Sequence, residues 1–325
     1  MINSVLLIGL GQIGVGYDID NLDSDLILTH ANASRKHKNF NLVAGIDASS
    51  AKRQKFSNVY DIDSFKNINA EVIQKDPSIV IIATPTETHS KVMNQVLDLL
   101  NPKLILCEKP LDYSEDEAEQ MVQRCKDKNV ALFVNYMRQS DISTLEISKM
   151  IEEEVIERPI KANVWYSKGL FNNGSHLTNL LERWLGNLTK TFLINSGERI
   201  GERDYEPDFF AEYEGGSANF ISSKEENFSI YTIELITRSG RLFYSNGGEL
   251  ISWQPVKADN NYPGYKILSN NYKEIYNELF ISQFNVFNQI NNFLNGKSYE
   301  LCTGEQALVT IRNIIKITGA INDGK

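Results

Sequence analysis

The chain opens with a short apolar run, Val5-Leu6-Leu7-Ile8, that stops at a glycine, and similar runs recur through its first half. Asn41-Leu42-Val43-Ala44-Gly45-Ile46 ends in Asp47, and Ile79-Val80-Ile81-Ile82-Ala83 is apolar throughout. Leu104 to Cys107 and Val130 to Val134 complete the set. Runs without polar alternation suit strands buried on both faces, as in a parallel sheet covered by helices. Between them, Val92, Val96, Leu97 and Leu100 fall at helical spacing. Ser114 followed by Glu117 reads as a capping box, opening a helix with Ala118, Met121, Val122 and Cys125 on one face. Alternating strands and helices predict an α/β Rossmann domain with a parallel sheet over residues 1–138.

From Ile160 the pattern shifts to strand-like stretches: Ile160 to Tyr166, Lys190 to Ile194, Ser217 to Ser222 and Tyr231 to Ile236. Ser239-Gly240 and Gly247-Gly248 read as turns between antiparallel strands. One early helix carries Leu177, Leu180, Leu181, Trp184 and Leu185 on one face. Two more helices close the chain, one from about Tyr272 to Leu294 and one opened by the Thr303/Gln306 pair and running to about Ile321. Residues 139–325 are therefore expected to form an α+β domain with a mainly antiparallel sheet. Its C-terminal helices are placed to pack back on the first domain.

Composition narrows the function. A net charge of −9 over 325 residues argues against a nucleic-acid surface. No apolar run approaches the ~20 residues of a membrane span. The first residues lack a basic leader, and Cys107, Cys125 and Cys302 have no metal-ligand spacing, so a reducing cytoplasm is expected, with no metal.

The candidate chemistry sits where the runs end. Gly9-Leu10-Gly11-Gln12-Ile13-Gly14 follows the first strand as a dinucleotide turn, its glycines serving the tight turn, the approach of pyrophosphate and helix packing. Asp47 ends the second strand, where a carboxylate accepts ribose hydroxyls and repels a 2′-phosphate, favouring NAD over NADP. The extra length between them holds Asp18, Asp20, Asp23 and Asp25, which read as a solvated loop, then Thr29-His30-Ala31. Ala83, Thr84, Pro85 and Thr86 follow the third strand, with His89 at the next helix start. Glu108-Lys109-Pro110 follows the fourth and puts an ammonium group where a nicotinamide would lie. In the second domain His176 falls in the first turn of the early helix, with Asn179 and Arg183 on its face. Arg138, Tyr166, Lys168, Asn172 and Asn173 are candidate substrate contacts.

With these strings in this order the chain resembles the Gfo/Idh/MocA oxidoreductases, the family of glucose–fructose oxidoreductase and inositol dehydrogenase. The resemblance rests on the glycine turn, Ala83-Thr84-Pro85 with His89, Glu108-Lys109-Pro110, Asn135-Tyr136-Met137-Arg138 and the helix start at His176. It implies reversible hydride transfer between NAD and a secondary alcohol of a sugar, cyclitol or nucleotide-sugar. Lys109 would contact nicotinamide ribose and substrate hydroxyl, His176 would serve as acid or base, and the bond before Pro110 would be cis. It also implies a homodimer or homotetramer built on one face of the second sheet. The family's usual aspartates four residues before and three after the histidine are here Asn172 and Asn179. That departure opens a second expectation, a catalytically impaired regulatory or scaffold protein that keeps the dinucleotide. The stretch from Lys168 to His176 looks like members associated with bacterial surface-polysaccharide clusters.

Overall fold

A computed structural model of the chain describes residues 2–323. The chain divides into two compact units, residues 1–140 with 280–311, and residues 141–279 with 312–325.

The first unit alternates β1 (Asn3–Ile8), α1 (His30–Lys36), β2 (Phe40–Ile46), α2 (Ser50–Tyr60), β3 (Ser64–Phe65), α3 (Ala70–Gln74), β4 (Ile79–Ile82), α4 (His89–Leu99), β5 (Leu104–Cys107), α5 (Glu115–Asp127) and β6 (Ala131–Val134). The strands from β1 to β6 pair in parallel in the order β6-β5-β4-β1-β2-β3. The apolar runs are buried because both faces of this sheet carry a core. Leu6, Ile8, Val80, Ile82, Ile105 and Cys107 lie on one side, and Val5, Leu7, Ile79, Ile81, Leu104 and Leu106 on the other.

The second unit has α6 (Ile142–Glu152), β7 (Ile160–Tyr166), α7 (Ser175–Leu185), β8 (Leu188–Asn195), β9 (Arg199–Ile200), β10 (Asp204–Tyr205), β11 (Asp208–Tyr213), β12 (Gly216–Ser222), β13 (Tyr231–Ile236), β14 (Gly240–Ser245), β15 (Leu250–Ala258), β16 (Lys266–Leu268) and β17 (Lys273–Glu274). Its large sheet runs β16-β15-β14-β13-β7-β12-β11-β8, with β17 also on β15. All these neighbours are antiparallel except β7 and β12, which are parallel. Buried and less buried residues alternate strictly along β7, which gives this sheet one core face. Strand β11, unmarked in the sequence reading, buries Phe209, Ala211 and Tyr213 by the same alternation.

The chain then returns to the first unit through α8 (Ser282–Leu294) and β18 (Cys302–Thr303), which adds antiparallel to β6. α9 (Gly304–Asp323) follows. The helix expected from about Tyr272 starts ten residues later, at Ser282, because Lys273 and Glu274 pair with Trp253 and Ser252 as β17. At α9 the capping box closes in both directions: Thr303 N–H donates to Gln306 Oε1 at 2.9 Å and Gln306 N–H donates to Thr303 Oγ1 at 3.2 Å. At α5 only half of it forms, since the Glu117 carboxylate accepts from Ser90 instead. No helix among the described residues is long and apolar enough to cross a membrane.

Candidate active site

Register places the site. Ile46, Ile8, Ile82, Cys107 and Val134 are paired partners across β2, β1, β4, β5 and β6, so they form one row. The next residue of each strand continues the ladder. Gly9 N–H donates to Ile46, Ala83 to Ile8, Glu108 to Ile82 and Asn135 to Cys107. Asp47, Gly9, Ala83, Glu108 and Asn135 therefore stand side by side along the carboxyl edge of the sheet. At ~4.8 Å per strand, Asp47 and Glu108 are about 14 Å apart along that edge.

Three glycines shape the turn after β1, each differently. Gly9 has φ +104°, and a Cβ there would lie 2.3 Å from the carbonyl oxygen of Ala83. A Cβ on Gly14 would lie 2.2 Å from the Gly9 oxygen, so this residue lets the chain fold back on the turn. Around Gly11 nothing approaches such a Cβ within 4 Å, which leaves its backbone open to a ligand. Gln12 and Ile13 enter a single wide helical turn, Gln12–Gly16, and α1 begins only at His30.

A cavity of about 590 Å³ lies over this edge, lined by Gly9, Gly11, Asp47, Ala83, Thr84 and Pro85, with Lys52 and Lys91 at its wall. The Asp47 carboxylate is held in place, accepting from Leu10 N–H at 2.9 Å and Ser49 N–H at 2.8 Å, with Lys52 Nζ at 3.8 Å. An open backbone at Gly11, with a fixed carboxylate one strand away, fits a dinucleotide's pyrophosphate and ribose. Thr86 starts the turn before α4. His89 does not line the cavity. It is fully buried, with Nδ1 3.1 Å from the Leu111 oxygen and Nε2 2.9 Å from the Thr84 oxygen. It is a support beneath Thr84, because both ring nitrogens face backbone carbonyls and neither points into the cavity.

Glu108 and Lys109 follow β5, and the bond between Lys109 and Pro110 is cis. Burial raises the Glu108 carboxyl, but the hydrogen bond and charge of His30, the hydrogen bond from Asn135 and the charge of Lys109 outweigh it and hold the group below its ordinary range. The acids before α1 are not all a solvated loop. Asp18 is buried and accepts from Leu28 N–H (2.9 Å), Thr29 N–H (3.2 Å), Thr29 Oγ1 (2.5 Å) and Asn32 Nδ2 (3.1 Å). A carboxylate with that many donors anchors the segment and holds Thr29, which caps α1 by accepting from Asn32 N–H at 3.3 Å. No group of acids, histidines or cysteines among the described residues could hold a metal ion.

In the second unit His176 is the second residue of α7 and 7% exposed, with Tyr231 edge-on at 6.2 Å between ring centroids. Its helix starts from a wide turn, Gly169–Gly174, that depends on an acid from β10. Asp204 accepts N–H bonds from Phe171 (2.9 Å) and Asn172 (3.2 Å), and the Glu206 carboxylate takes Gly169 N–H (3.1 Å). Lys168 enters the turn with φ +68° and stays exposed. Gly169 has φ +86°, and a Cβ there would lie 2.0 Å from Asp204 Oδ2. Asn172 and Asn173 are partly buried on this turn, and Arg138 is partly exposed in the first unit. Tyr166, expected at substrate, is fully buried and donates its hydroxyl to the Pro207 carbonyl at 2.5 Å, so it is not available. Asn179, expected on an open face with His176, is also buried, and Arg183 Nε donates to Ser148 Oγ at 2.9 Å. Sequence reasoning missed Lys52, Lys91 and Asp204. Asp204 carries no motif, since it acts through backbone far away in the chain.

Residues 4–136 match the sequence profile of the Gfo/Idh/MocA oxidoreductase family, NAD-binding Rossmann fold. The chain is 26% identical to inositol 2-dehydrogenase of Rhizobium meliloti over 147 residues, 45% of this chain and 40% of that protein. It is 33% identical to the scyllo-inositol 2-dehydrogenase (NAD(+)) of Bacillus subtilis over 90 residues, 27% of this chain and 26% of that one. The chain thus matches well under half the length of these relatives. The WlbA dehydrogenase of Bordetella pertussis, solved with NADH and UDP-GlcNAcA, shares the fold at a TM-score of 0.77 and 16% identity, covering 100% of this chain and 96% of that one.

Proposed function

We propose that this chain, whose residues 4–136 belong to the NAD-binding domain of the Gfo/Idh/MocA oxidoreductase family, is a dehydrogenase of a sugar, cyclitol or nucleotide-sugar. The observation that carries the reading is the row Asp47, Gly9, Ala83, Glu108 on one sheet edge, with Lys109 one residue beyond. Gly9, Gly11, Gln12, Ile13 and Gly14 would bind the pyrophosphate, and Asp47 the adenine ribose, with preference for NAD over NADP. Ala83 to Thr86 would flank the cofactor's middle. NAD, when bound, supplies the hydride acceptor. Lys109 donates a hydrogen bond to the substrate hydroxyl and stabilises negative charge on its oxygen, and His176 accepts the proton. Arg138, Lys168, Asn172 and Asn173 would contact substrate. The relatives' names support this class, as does the nucleotide-sugar in the WlbA complex. We also infer a cytoplasmic homodimer or homotetramer.

Asn172 and Asn179 favour a second reading, a dinucleotide-binding scaffold without turnover. A panel of cyclitols, free sugars and UDP-sugars, with NAD reduction followed by absorbance, separates the two. Turnover that Lys109→Ala and His176→Ala each cut by ~10²-fold or more, with cofactor affinity kept, supports the enzyme. Tight NAD binding with no turnover on any of the panel supports the scaffold.

A further inference from the structure

Around Glu108, the residue before Lys109, lies a largely buried polar cluster that neither the family profile nor the relatives' names assign. His30 Nε2 is 2.8 Å from Glu108 Oε1, and Asn135 Nδ2 donates to the same oxygen at 2.6 Å. Asn135 Nδ2 is shared with Gln283 Oε1 at 3.2 Å. The His30 side chain is 0% exposed, and its Nδ1 makes no hydrogen bond among the described residues. Because Glu108 is held ionised it can only accept. His30 must therefore carry its proton on Nε2. A carboxylate only 12% exposed is costly unless donors and a cation surround it. Here His30, Asn135 and the neighbouring Lys109 charge do so. Burial raises the neighbouring Cys107 thiol, and the charges of Glu108, Cys125 and Asp112 add to that effect.

We propose that His30 is a positioning residue for the reaction: its Nε2–H locks the Glu108 carboxylate, and that fixed anion sets the charge and direction of Lys109. The segment before α1 then gains a purpose. Asp18 caps the helix through Thr29, the residue before His30, and so places the imidazole under the end of β5. The proposal rests on Lys109 being the group that meets substrate, but its test does not need turnover.

Reductive methylation with isotopically labelled formaldehyde makes each lysine amine visible by NMR, and the spectrum of Lys109→Arg assigns the Lys109 signal. In His30→Leu the carboxylate stays ionised where a lysine titrates but is no longer held in place beside Lys109, so the Lys109 titration midpoint should fall by about one pH unit or more. His30→Gln, whose amide N–H reaches the position of Nε2, should keep the wild-type midpoint. Should His30→Leu fail to fold, His30→Asn, whose amide stops one methylene short, takes its place with the same expected fall. Equal midpoints in all forms overturn the proposal. So does an equal fall in Gln and Leu, which would mean that the ring acts through packing alone. A protein inactive on every substrate would refute the role of Lys109 in turnover while leaving these midpoints where they are, so the two failures are distinguishable.

Discussion

Gly9 and Gly11 are the same residue type two positions apart, yet the structure gives them opposite sensitivities. Gly9→Ala meets both a positive φ and a carbonyl 2.3 Å away, so it should destabilise the first unit by several kcal/mol. Gly11→Ala meets nothing within 4 Å and should leave stability within ~0.5 kcal/mol while weakening NAD binding, because the new methyl occupies the pyrophosphate's approach. Chemical denaturation read beside calorimetry separates the two effects. Asp47 admits a similar test. Its carboxylate accepts from Leu10 and Ser49 and faces Lys52 at 3.8 Å, so wild type should bind NAD more tightly than NADP, with Lys52 softening the repulsion. Asp47→Ser should narrow the ratio between the two cofactors. Tighter NADP binding by wild type would remove the assignment.

At the scale of elements, helix α7 depends on a residue outside it. Asp204 on β10 satisfies the Phe171 and Asn172 N–H groups of the turn that delivers His176, which otherwise would lack partners. Asp204→Ala should cost about 1–3 kcal/mol through the stranded donors. Burial raises the Asp204 carboxyl above its ordinary 3.8, despite the N–H bonds from Phe171, Tyr205, Asn172 and Leu170 that lower it. A folded state that holds its proton more tightly than the unfolded chain is favoured at low pH. This contribution is therefore complete below 3.8 and is lost as pH rises through the folded value. Wild type should accordingly gain stability over Asp204→Asn as pH falls towards about 4, read by urea denaturation at a series of pH values.

Across the whole molecule the reporters divide cleanly. Cys107, Cys125 and Cys302 all belong to the first unit and are buried, while Trp165, Trp184 and Trp253 all belong to the second. Burial pushes the Cys125 thiol up to about 12, so almost no thiolate exists at neutral pH. A thiol reagent should therefore leave the native protein unlabelled and report opening of the first unit, and tryptophan fluorescence should report the second. NAD at 100 times its Kd should stabilise the labelling transition by ~2.7 kcal/mol if the cofactor binds only the folded first unit. Labelling of native protein at the rate of a free thiol would contradict the burial.

The apolar runs and the residues that end them were legible in the sequence, because a strand buried on both faces tolerates no polar interruption and a ligand edge begins where the run stops. Asp47, Gly9, Ala83 and Glu108 were found that way, as was the Thr303/Gln306 box, whose partners are close in sequence. The Tyr272 start of the penultimate helix failed because a local apolar pattern cannot anticipate that Lys273 and Glu274 will pair with Ser252 and Trp253. Whether a polar side chain faces a cavity or the interior is likewise decided by distant backbone. Tyr166 finds Pro207, His89 finds Leu111, and Asp18 gathers its donors from Leu28 to Asn32. The hydrogen-bonded trio of His30, Glu108 and Asn135 comes from three separate segments. Composition and spacing carry no record of such meetings, since hydrogen bonds between remote residues exist only once the sheet has set their register.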